Sequence, residues 1–377
     1  MKYDYSYISK KKKSSLEAKL NKNYFIEKPL HYSTFEDAYI FPSDSYDCRM
    51  RSGGIVSSDG TFQISSAWHE GCIHISNYDT SNHVCRNENV IYIGCLYHIW
   101  GHAITDNFKK IWYLRNQLKE YKIVYITLDN NRLPEYIYEL FELAGINLHL
   151  AEHITQPTKF QRIINPENSI VNINEERYYT NEFMKTIEYI KSEIPAIDCG
   201  KVYFTRTHLK NNRDIGEEQI EKVFQRKGYN IIAPEEHSIK EQVAILKGCT
   251  AFAATEGSIS HSTLFCKLKT EIYLLRKVDF INPYSCFINQ MCSLNVTYID
   301  VHHSVLSPKE FPWRGPFYLY ITYSLSRFIG RYGFHIPYFL HRSWYEYRYQ
   351  LSERIKNGYY TLGAKIGIRS RLNKILK

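Results

Sequence analysis

The sequence lacks three features that define large classes of protein. None of its 9 cysteines belongs to a CxxC pair and their number is odd, so we expect a reducing compartment and no structural zinc. The opening stretch MKYDYSYISKKKKSSLEAKL contains no apolar core of the kind found in signal peptides. No uninterrupted apolar run is long enough to span a bilayer. We therefore expect a cytoplasmic protein without a transmembrane helix.

The composition is that of a globular protein with an excess of positive charge. Hydrophobic residues make up 44% of the chain and charged residues 23%, and 377 residues suit two domains better than one. The net charge of +9 favours anionic partners such as nucleotide phosphates, nucleic acid or acidic lipid. A basic surface without any such partner explains the charge equally well, and this alternative stays open.

Segments typical of strands and helices alternate through the middle of the chain. Short apolar runs such as KIVYITL and TAFAAT predict buried strands, and amphipathic segments such as PEYIYELFELAG predict helices between them. This alternation predicts an α/β fold of two facing Rossmann-like domains with parallel sheets. We expect a polar basic arm at 1–22, an N-terminal domain at 23–195, a C-terminal domain at 196–310 and an aromatic, basic helical tail at 311–377.

The stretch ATEGSISHSTLF places polar residues where a predicted strand ends and a predicted helix begins. Ligands of parallel sheets bind beyond the carboxyl ends of the strands. Gly257 lets the backbone approach a ligand closely, and the N–H groups from Ser258 onward are suited to a phosphate. Glu256 better suits a hydroxyl of a ribose or a hexose. The alternative is that Ser258 only caps the helix and that Glu256 is solvated.

Two arginines follow another predicted strand in YFTRTHLKNNRDIGEEQI. Guanidinium groups bind phosphate in a bidentate fashion, so Arg206 and Arg213 on one loop are suited to clamping a diphosphate. Arginines are also common on surface loops, and that alternative stays open.

The stretch YHIWGHAITDNFKKIW contains a histidine and an acid four residues apart. On a helix, His102 and Asp106 share one face, and a carboxylate beside an imidazole orients and charges the ring of a general base. Trp100 and Trp112 flank this pair and are suited to stacking on a sugar. Zinc is disfavoured because no third ligand stands at a matching spacing. The alternative is a histidine that only caps the start of a helix.

Taken in order, these motifs resemble glycosyltransferase family 61. The resemblance covers residues 90–275 and consists of the histidine-led helix, the arginine-rich loop followed by acids, the Pro-Glu step before SIKEQ, and the Glu-Gly-Ser sequence. It implies a GT-B fold, in which two Rossmann-like domains face each other and the second binds most of a nucleotide-sugar donor. It also implies transfer of the sugar with inversion, without an obligatory metal or other cofactor.

The resemblance also assigns residues to roles. By position, Arg206 and Arg213 match the arginines that bind the donor phosphates. The sequence Glu256, Gly257, Ser258 matches the donor loop, with His261 following as in bacterial members. His102 and Asp106 match the motif of the first domain at the cleft, which implies a catalytic role. The family often has asparagine where this chain has Gly216, so no role is carried over to Glu217.

The family context implies that the acceptor is a glycan, free or linked to lipid, in capsule, exopolysaccharide or lipopolysaccharide synthesis. The donor sugar, a hexose or a pentose, is not specified. The tail at 362–377 has apolar residues among cations, which favours binding to an anionic membrane surface on the inner face of the plasma membrane. Packing of the tail across both domains is the alternative.

Two other classes of function stay open. One is a pyruvyl or phosphosugar transferase on the same fold. The other is a non-catalytic protein that binds polysaccharide or nucleic acid. We expect no nucleic-acid partner, because the basic residues are spread along the chain except at its two ends.

Overall fold

Two six-stranded β-sheets form the framework of the protein. The computed structural model describes residues 2–330, except 44–49, 69–72, 76, 118–120, 129, 175, 211–213, 280, 306–314 and 316, and it also describes residue 351. The described strands are β1 (Lys2–Tyr7), β2 (Tyr32–Phe41), β3 (Met50–Arg51), β4 (Gly54–Val56), β5 (Ile73–His74), β6 (Val84–Leu96), β7 (Lys122–Thr127), β8 (Glu152–His153), β9 (Thr158–Pro166), β10 (Ile170–Ile173), β11 (Glu176–Tyr179), β12 (Lys201–Phe204), β13 (Asp214–Ile215), β14 (Tyr229–Ile232), β15 (Ala251–Thr255), β16 (Glu271–Arg276), β17 (Asn295–Asp300), β18 (His302–Val305) and β19 (Phe317–Leu319). The described α-helices are α1 (Lys10–Leu20), α2 (Trp100–Ala103), α3 (Ile111–Gln117), α4 (Glu135–Leu143), α5 (Asn181–Glu193), α6 (Glu217–Arg226), α7 (Ile239–Gly248), α8 (Pro283–Met291) and α9 (Tyr323–Phe328). The described 3₁₀ helices are Ile64–Ser66, Asp106–Phe108, Leu148–Leu150, Pro234–Glu236 and Ser258–Phe265.

The sheet of the second half is parallel throughout. Its strand order is β1-β17-β16-β15-β12-β14. Every residue of β15 is buried, as expected for a strand in a sheet that helices cover on both faces. The helices between these strands also follow sequence signals, since Ser238 caps α7 and forms a capping box with Glu241. The predicted parallel α/β sheet is confirmed for this half.

The sheet of the first half is mixed, with the strand order β4-β2-β9-β6-β7-β8. β9, β6, β7 and β8 run parallel, whereas β2 is antiparallel to both β4 and β9. β2 and β4 come from residues 24–90, where the sequence pattern did not reveal the order of the strands. The protein is therefore a mixed α/β protein, and the expectation of parallel sheets in both halves is corrected for this one.

The lysine-rich beginning of the chain, expected to form a polar arm, is built into the second sheet instead. β1 pairs in parallel with β17, with Lys2 opposite Asn295 and Tyr3 opposite Val296. α1 then buries Leu16 and Leu20 in the apolar core. The alternation of polar and tyrosine residues in KYDYSY suits an edge strand, which is half exposed. The wider division into domains stays a prediction.

The long helix predicted from residue 101 is divided into α2, the 3₁₀ helix Asp106–Phe108 and α3. The side chain of Asn107 accounts for the break. Its Oδ1 accepts a hydrogen bond from the N–H of Tyr97, and its Nδ2 donates one to the carbonyl of Tyr97, both at 3.0 Å. These two bonds hold the segment against the carboxyl end of β6.

The two halves share one buried apolar cluster. It includes Phe108 and Phe141 from the first half, and Phe265 and Phe287 from the second. The predicted tail is described at 315, 317–330 and 351, whereas its basic end at 362–377 lies outside the described residues. Within the described part of the chain, no helix combines the length and the apolar character needed to cross a membrane.

Candidate active site

The second sheet has a crevice at the carboxyl ends of two neighbouring strands. There β12 and β15 are neighbours, but the chain leaves β12 toward β14 and leaves β15 toward β16, on opposite sides. Such a reversal of strand order leaves room for ligands. In the first sheet, β6 lies between β9 and β7, and the chain leaves it toward β7. All the predicted site residues that the structure describes lie in or next to the segments that follow β6, β12 and β15.

The structure brings His102 and Asp106 together, as their spacing predicted. His102 Nδ1 lies 2.5 Å from Asp106 Oδ2. The carboxylate is completely buried, and the histidine side chain is 27% exposed. Lys109 Nζ lies 2.6 Å from Asp106 Oδ1, so the buried negative charge is paired with a cation. A carboxylate held at Nδ1 stabilises the imidazolium form of the ring and fixes its orientation.

Three aromatic rings pack around the side chain of His102. The ring centroids of Trp68, Tyr97 and Tyr284 lie 5.1, 5.4 and 5.8 Å from its own. Trp68 and Tyr284 meet the imidazole edge to face. None of these three aromatic residues was singled out from the sequence. Trp68 and Tyr284 are distant from His102 along the chain, and Tyr97, although it begins the histidine stretch, has nothing in its local pattern that marks a role.

His261 packs directly beneath α2. An atom added as Cβ at Gly101 would lie 2.7 Å from His261 Nδ1 and 3.3 Å from Ser258 Oγ. The ring is 3% exposed, and burial together with the nearby His102 lowers the pKa of His261 to about 3. His261 is therefore neutral near pH 7, and its assignment to donor binding stays a prediction.

On the opposite side of the site, two cations converge on Gly257. A Cβ at this glycine would lie 3.5 Å from Lys277 Nζ and 3.9 Å from Arg206 Nη1, and its φ of +138° disfavours any other residue. Asp214 lies 2.7 Å from Lys277 Nζ and 3.5 Å from Arg206 Nη1. Arg213, the other predicted arginine, lies outside the described residues. Lys277 directly follows β16, so the same strand-end argument applied to EIYLLRK would have found it.

Glu256 is buried rather than solvated, being only 3% exposed. Burial raises the pKa of its carboxyl group to about 7, although the nearby Arg276 guanidinium, with Nε 3.7 Å from Oε2, opposes the shift. Among the described residues, no hydrogen-bond donor of normal geometry reaches either carboxylate oxygen. The simple capping role is not seen either, because Gly257, not Ser258, occupies the cap position of the helical segment.

Glu217, to which the resemblance assigned no role, is the first residue of α6 and is fully buried. Its Oε1 accepts a hydrogen bond of 2.9 Å from the hydroxyl of Tyr203. Burial, and then the negative charge of Asp214, raise the pKa of Glu217 to about 8. The Glu217 carboxyl group therefore belongs to the buried interior beside the site and not to its exposed surface.

A cavity of about 440 Å³ lies between the two halves, next to these groups. The first half contributes Ile99, Trp100, Tyr136 and Glu139 to its wall. The second half contributes Thr205, Arg206, Leu209, Pro234, Glu235, His237, Ile239, Gln242, Ser258 and Ile259. The cavity is thus mostly apolar, with Arg206 and the start of Ser258–Phe265 at one side, which is a combination suited to a nucleotide.

Of the two tryptophans that flank the histidine, only Trp100 lines this cavity, and its indole N–H donates to Ser262 Oγ at 2.9 Å. The indole N–H of Trp112 instead donates to the backbone carbonyl of Glu167. Among the described residues, no group of three or more His, Cys, Asp or Glu side chains is placed to hold a metal ion.

Comparison with known proteins adds one positive finding. The family model described as Glycosyltransferase 61 matches residues 100–273. The matched region includes His102, Asp106, Arg206 and the segment from Glu256 to His261, but ends before Lys277 and Tyr284. A search of curated proteins finds no match.

Proposed function

Because residues 100–273 match the model of glycosyltransferase family 61, we propose that the chain transfers a sugar, with inversion, from a nucleotide-diphosphate-sugar to a hydroxyl group of a glycan. One observation carries the proposal. Gly101, the residue before His102, packs against His261 and Ser258 of the second half, and the neighbouring Trp100 lines the shared cavity together with Arg206 and Ser258. A group suited to removing a proton therefore lies near groups suited to holding a diphosphate.

His102 is the general base in this proposal. Its ring takes the proton from the acceptor hydroxyl as that oxygen attacks the anomeric carbon, on the face opposite the departing nucleoside diphosphate. Asp106 accepts from Nδ1–H and so places the basic lone pair on Nε2. Because the carboxylate is already bound by Lys109 and is completely buried, we assign it the orienting role rather than that of the base.

The second half holds the donor. Arg206 and Arg213 bind the diphosphate, and the N–H groups beginning at Gly257 and Ser258 stabilise the negative charge that develops on it. Glu256 binds a hydroxyl of the ribose or the sugar. His261 lines the donor side as a neutral ring.

We further propose that these cations replace a metal and that no other cofactor takes part. Turnover that survives removal of divalent ions by a chelator supports this point. Activity that disappears with the chelator and returns with added metal contradicts it.

The wider setting is part of the same proposal. The two halves form a GT-B arrangement, with the acceptor domain first and the donor domain second, and the cavity lined by residues of both halves supports it. The acceptor is a growing glycan, free or linked to lipid, of the capsule, exopolysaccharide or lipopolysaccharide type. The enzyme acts in the cytoplasm, and its basic end at 362–377 binds the inner face of the plasma membrane.

The test is a screen of nucleotide sugars. Those that raise the melting temperature are then incubated with glycan acceptors, and released nucleoside diphosphate and the anomeric configuration of the product are measured. Release of nucleoside diphosphate with an inverted product supports the proposal. Binding without turnover points to a non-catalytic protein, and transfer without sugar cleavage points to a pyruvyl or phosphosugar transferase.

A further inference from the structure

Tyr284 connects the two halves of the site at its most buried point. It lies in the first turn of α8, in the second half of the chain and beyond the matched region. Its hydroxyl donates a hydrogen bond of 2.5 Å to Oδ2 of Asp106, in the first half. Burial, and then the negative charge of Asp106, raise the pKa of Tyr284 well above its usual value, so this hydroxyl stays a proton donor.

The partners of Asp106 are divided between its two oxygens. Oδ2 lies 2.5 Å from both His102 Nδ1 and the Tyr284 hydroxyl. Oδ1 lies 2.6 Å from Lys109 Nζ and 3.6 Å from Arg177 Nη1. The histidine and the tyrosine therefore share one carboxylate oxygen, so the hydrogen bond of each to this oxygen weakens that of the other.

We propose that Tyr284 is a positioning residue that sets both the orientation and the basicity of His102 by sharing Asp106 Oδ2. This inference rests on the proposed function, in which His102 is the base. The hydroxyl draws negative charge from Oδ2 and so weakens the hydrogen bond between that oxygen and Nδ1 of the imidazole. It also fixes the carboxylate, and with it the imidazole, against the second half of the chain.

Three further groups lie close to His102. They are Trp68 and Tyr97, which contact the ring, and His261, which lies beneath α2. The Tyr284 ring itself is held by the guanidinium of Arg177, at 4.3 Å from its centroid, and by the edge of His102. Phenylalanine at position 284 keeps these ring contacts and removes only the hydroxyl.

The first measurement follows the histidine directly, without any activity assay. The full chain is labelled with ¹⁵N-histidine, and the signal of His102 is identified by its loss in His102→Gln. In Tyr284→Phe we expect the His102 titration midpoint to rise by about 0.5–1 pH unit, because Asp106 then stabilises the imidazolium more strongly. In Asp106→Asn we expect the midpoint to fall.

Tyr24→Phe is the matched control. The Tyr24 ring is also buried, and its hydroxyl makes a 2.7 Å hydrogen bond to the carbonyl of Lys19, outside the site. Each variant removes one buried hydroxyl group. If the two melting temperatures fall by similar amounts, that fall is the general cost of removing a buried hydroxyl group. Only Tyr284→Phe should move the His102 midpoint.

The second measurement uses the donor found by the nucleotide-sugar screen. In Tyr284→Phe we expect kcat to fall by roughly 10- to 100-fold, since a hydrogen bond to a charged group is lost. The acidic limb of kcat/KM should move to higher pH, and the donor KM should not change. An unchanged midpoint in the labelled protein overturns the inference, whatever the activity. If the His102 midpoint rises but the chain releases nucleotide from no sugar donor, the contact between Tyr284 and Asp106 is supported and the proposed function is overturned.

Discussion

The contact between Gly101 and His261 predicts that a single methyl group will separate the two halves of the site. Gly101 lies in α2, immediately before His102, and it has no positive φ that would strain alanine. In Gly101→Ala the new Cβ would lie 2.7 Å from His261 Nδ1, whereas a relaxed contact needs about 3.4 Å. The buried imidazole has little room to move, so α2 and the donor segment must part by the difference of 3.4 − 2.7, about 0.7 Å.

Two opposing effects set the stability of this variant. Alanine gains about 1 kcal/mol over glycine inside a helix. Overpacking a filled core costs about 1–3 kcal/mol. We therefore expect Gly101→Ala to lower the free energy of unfolding by up to about 2 kcal/mol, as measured by urea denaturation. The larger effect should be on turnover, because a misplacement approaching 1 Å of the reacting groups costs on the order of 100-fold.

A double-mutant cycle tests the contact itself. His261→Ala removes the ring that the new methyl group meets, so the double variant should be more stable than the sum of the two single changes by about 1–3 kcal/mol. Additive effects of Gly101→Ala and His261→Ala would refute the reasoning.

Three further predictions concern other parts of the site. Arg206→Ala should weaken binding of the nucleotide donor by roughly 1.5–3 kcal/mol in calorimetry, with only partial recovery in Arg206→Lys; unchanged affinity removes this residue from the site. His102→Ala should lower turnover by on the order of 10²–10⁴-fold while calorimetry shows donor affinity retained, and near-normal turnover contradicts the assignment of the base. Glu256, with a pKa of about 7 against an ordinary 4.5, binds its proton more tightly when the chain is folded, so its contribution to stability is full below pH 4.5 and is lost as the pH rises through 7. Urea denaturation at pH 5 and pH 8 should therefore show a decline in the wild type that is smaller in Glu256→Gln by about 3 kcal/mol, and equal declines would contradict the buried acid.

The sequence was most informative where strands are buried on both faces. TAFAAT is a largely apolar run next to an amphipathic segment, and it is a parallel strand of the second sheet within one residue of the expected bounds. Such runs are predictable because the two-sided burial of a parallel strand requires apolar side chains at every position. The edge strand KYDYSY has a neighbouring strand on one side only and keeps polar residues. Its sequence therefore lacks the apolar run that is typical of a buried strand.

The local sequence pattern does not predict contacts between residues that are far apart in the sequence. The pairing of His102 with Asp106 follows from a spacing of four, and it survives the break in the helix. Nothing local indicates that the hydroxyl of Tyr284 reaches Asp106 across 178 positions of the chain. The break itself depends on the Asn107 carboxamide bonding to the backbone of Tyr97, a tertiary contact that helical periodicity does not encode.

The place of β1 at the edge of the second sheet has a consequence for synthesis on the ribosome. β1 leaves the ribosome before the other described strands, yet its partner β17 is made about 290 residues later, as the bond from the Ser9 N–H to Asp300 across 291 positions illustrates. At ordinary elongation rates this interval lasts roughly 15–60 s. During that time the first half can complete its own sheet, while β1 has no strand to join. The second sheet therefore closes last, by capturing its earliest strand, and a protein that lacks β1 would leave β17 as an open edge prone to aggregation.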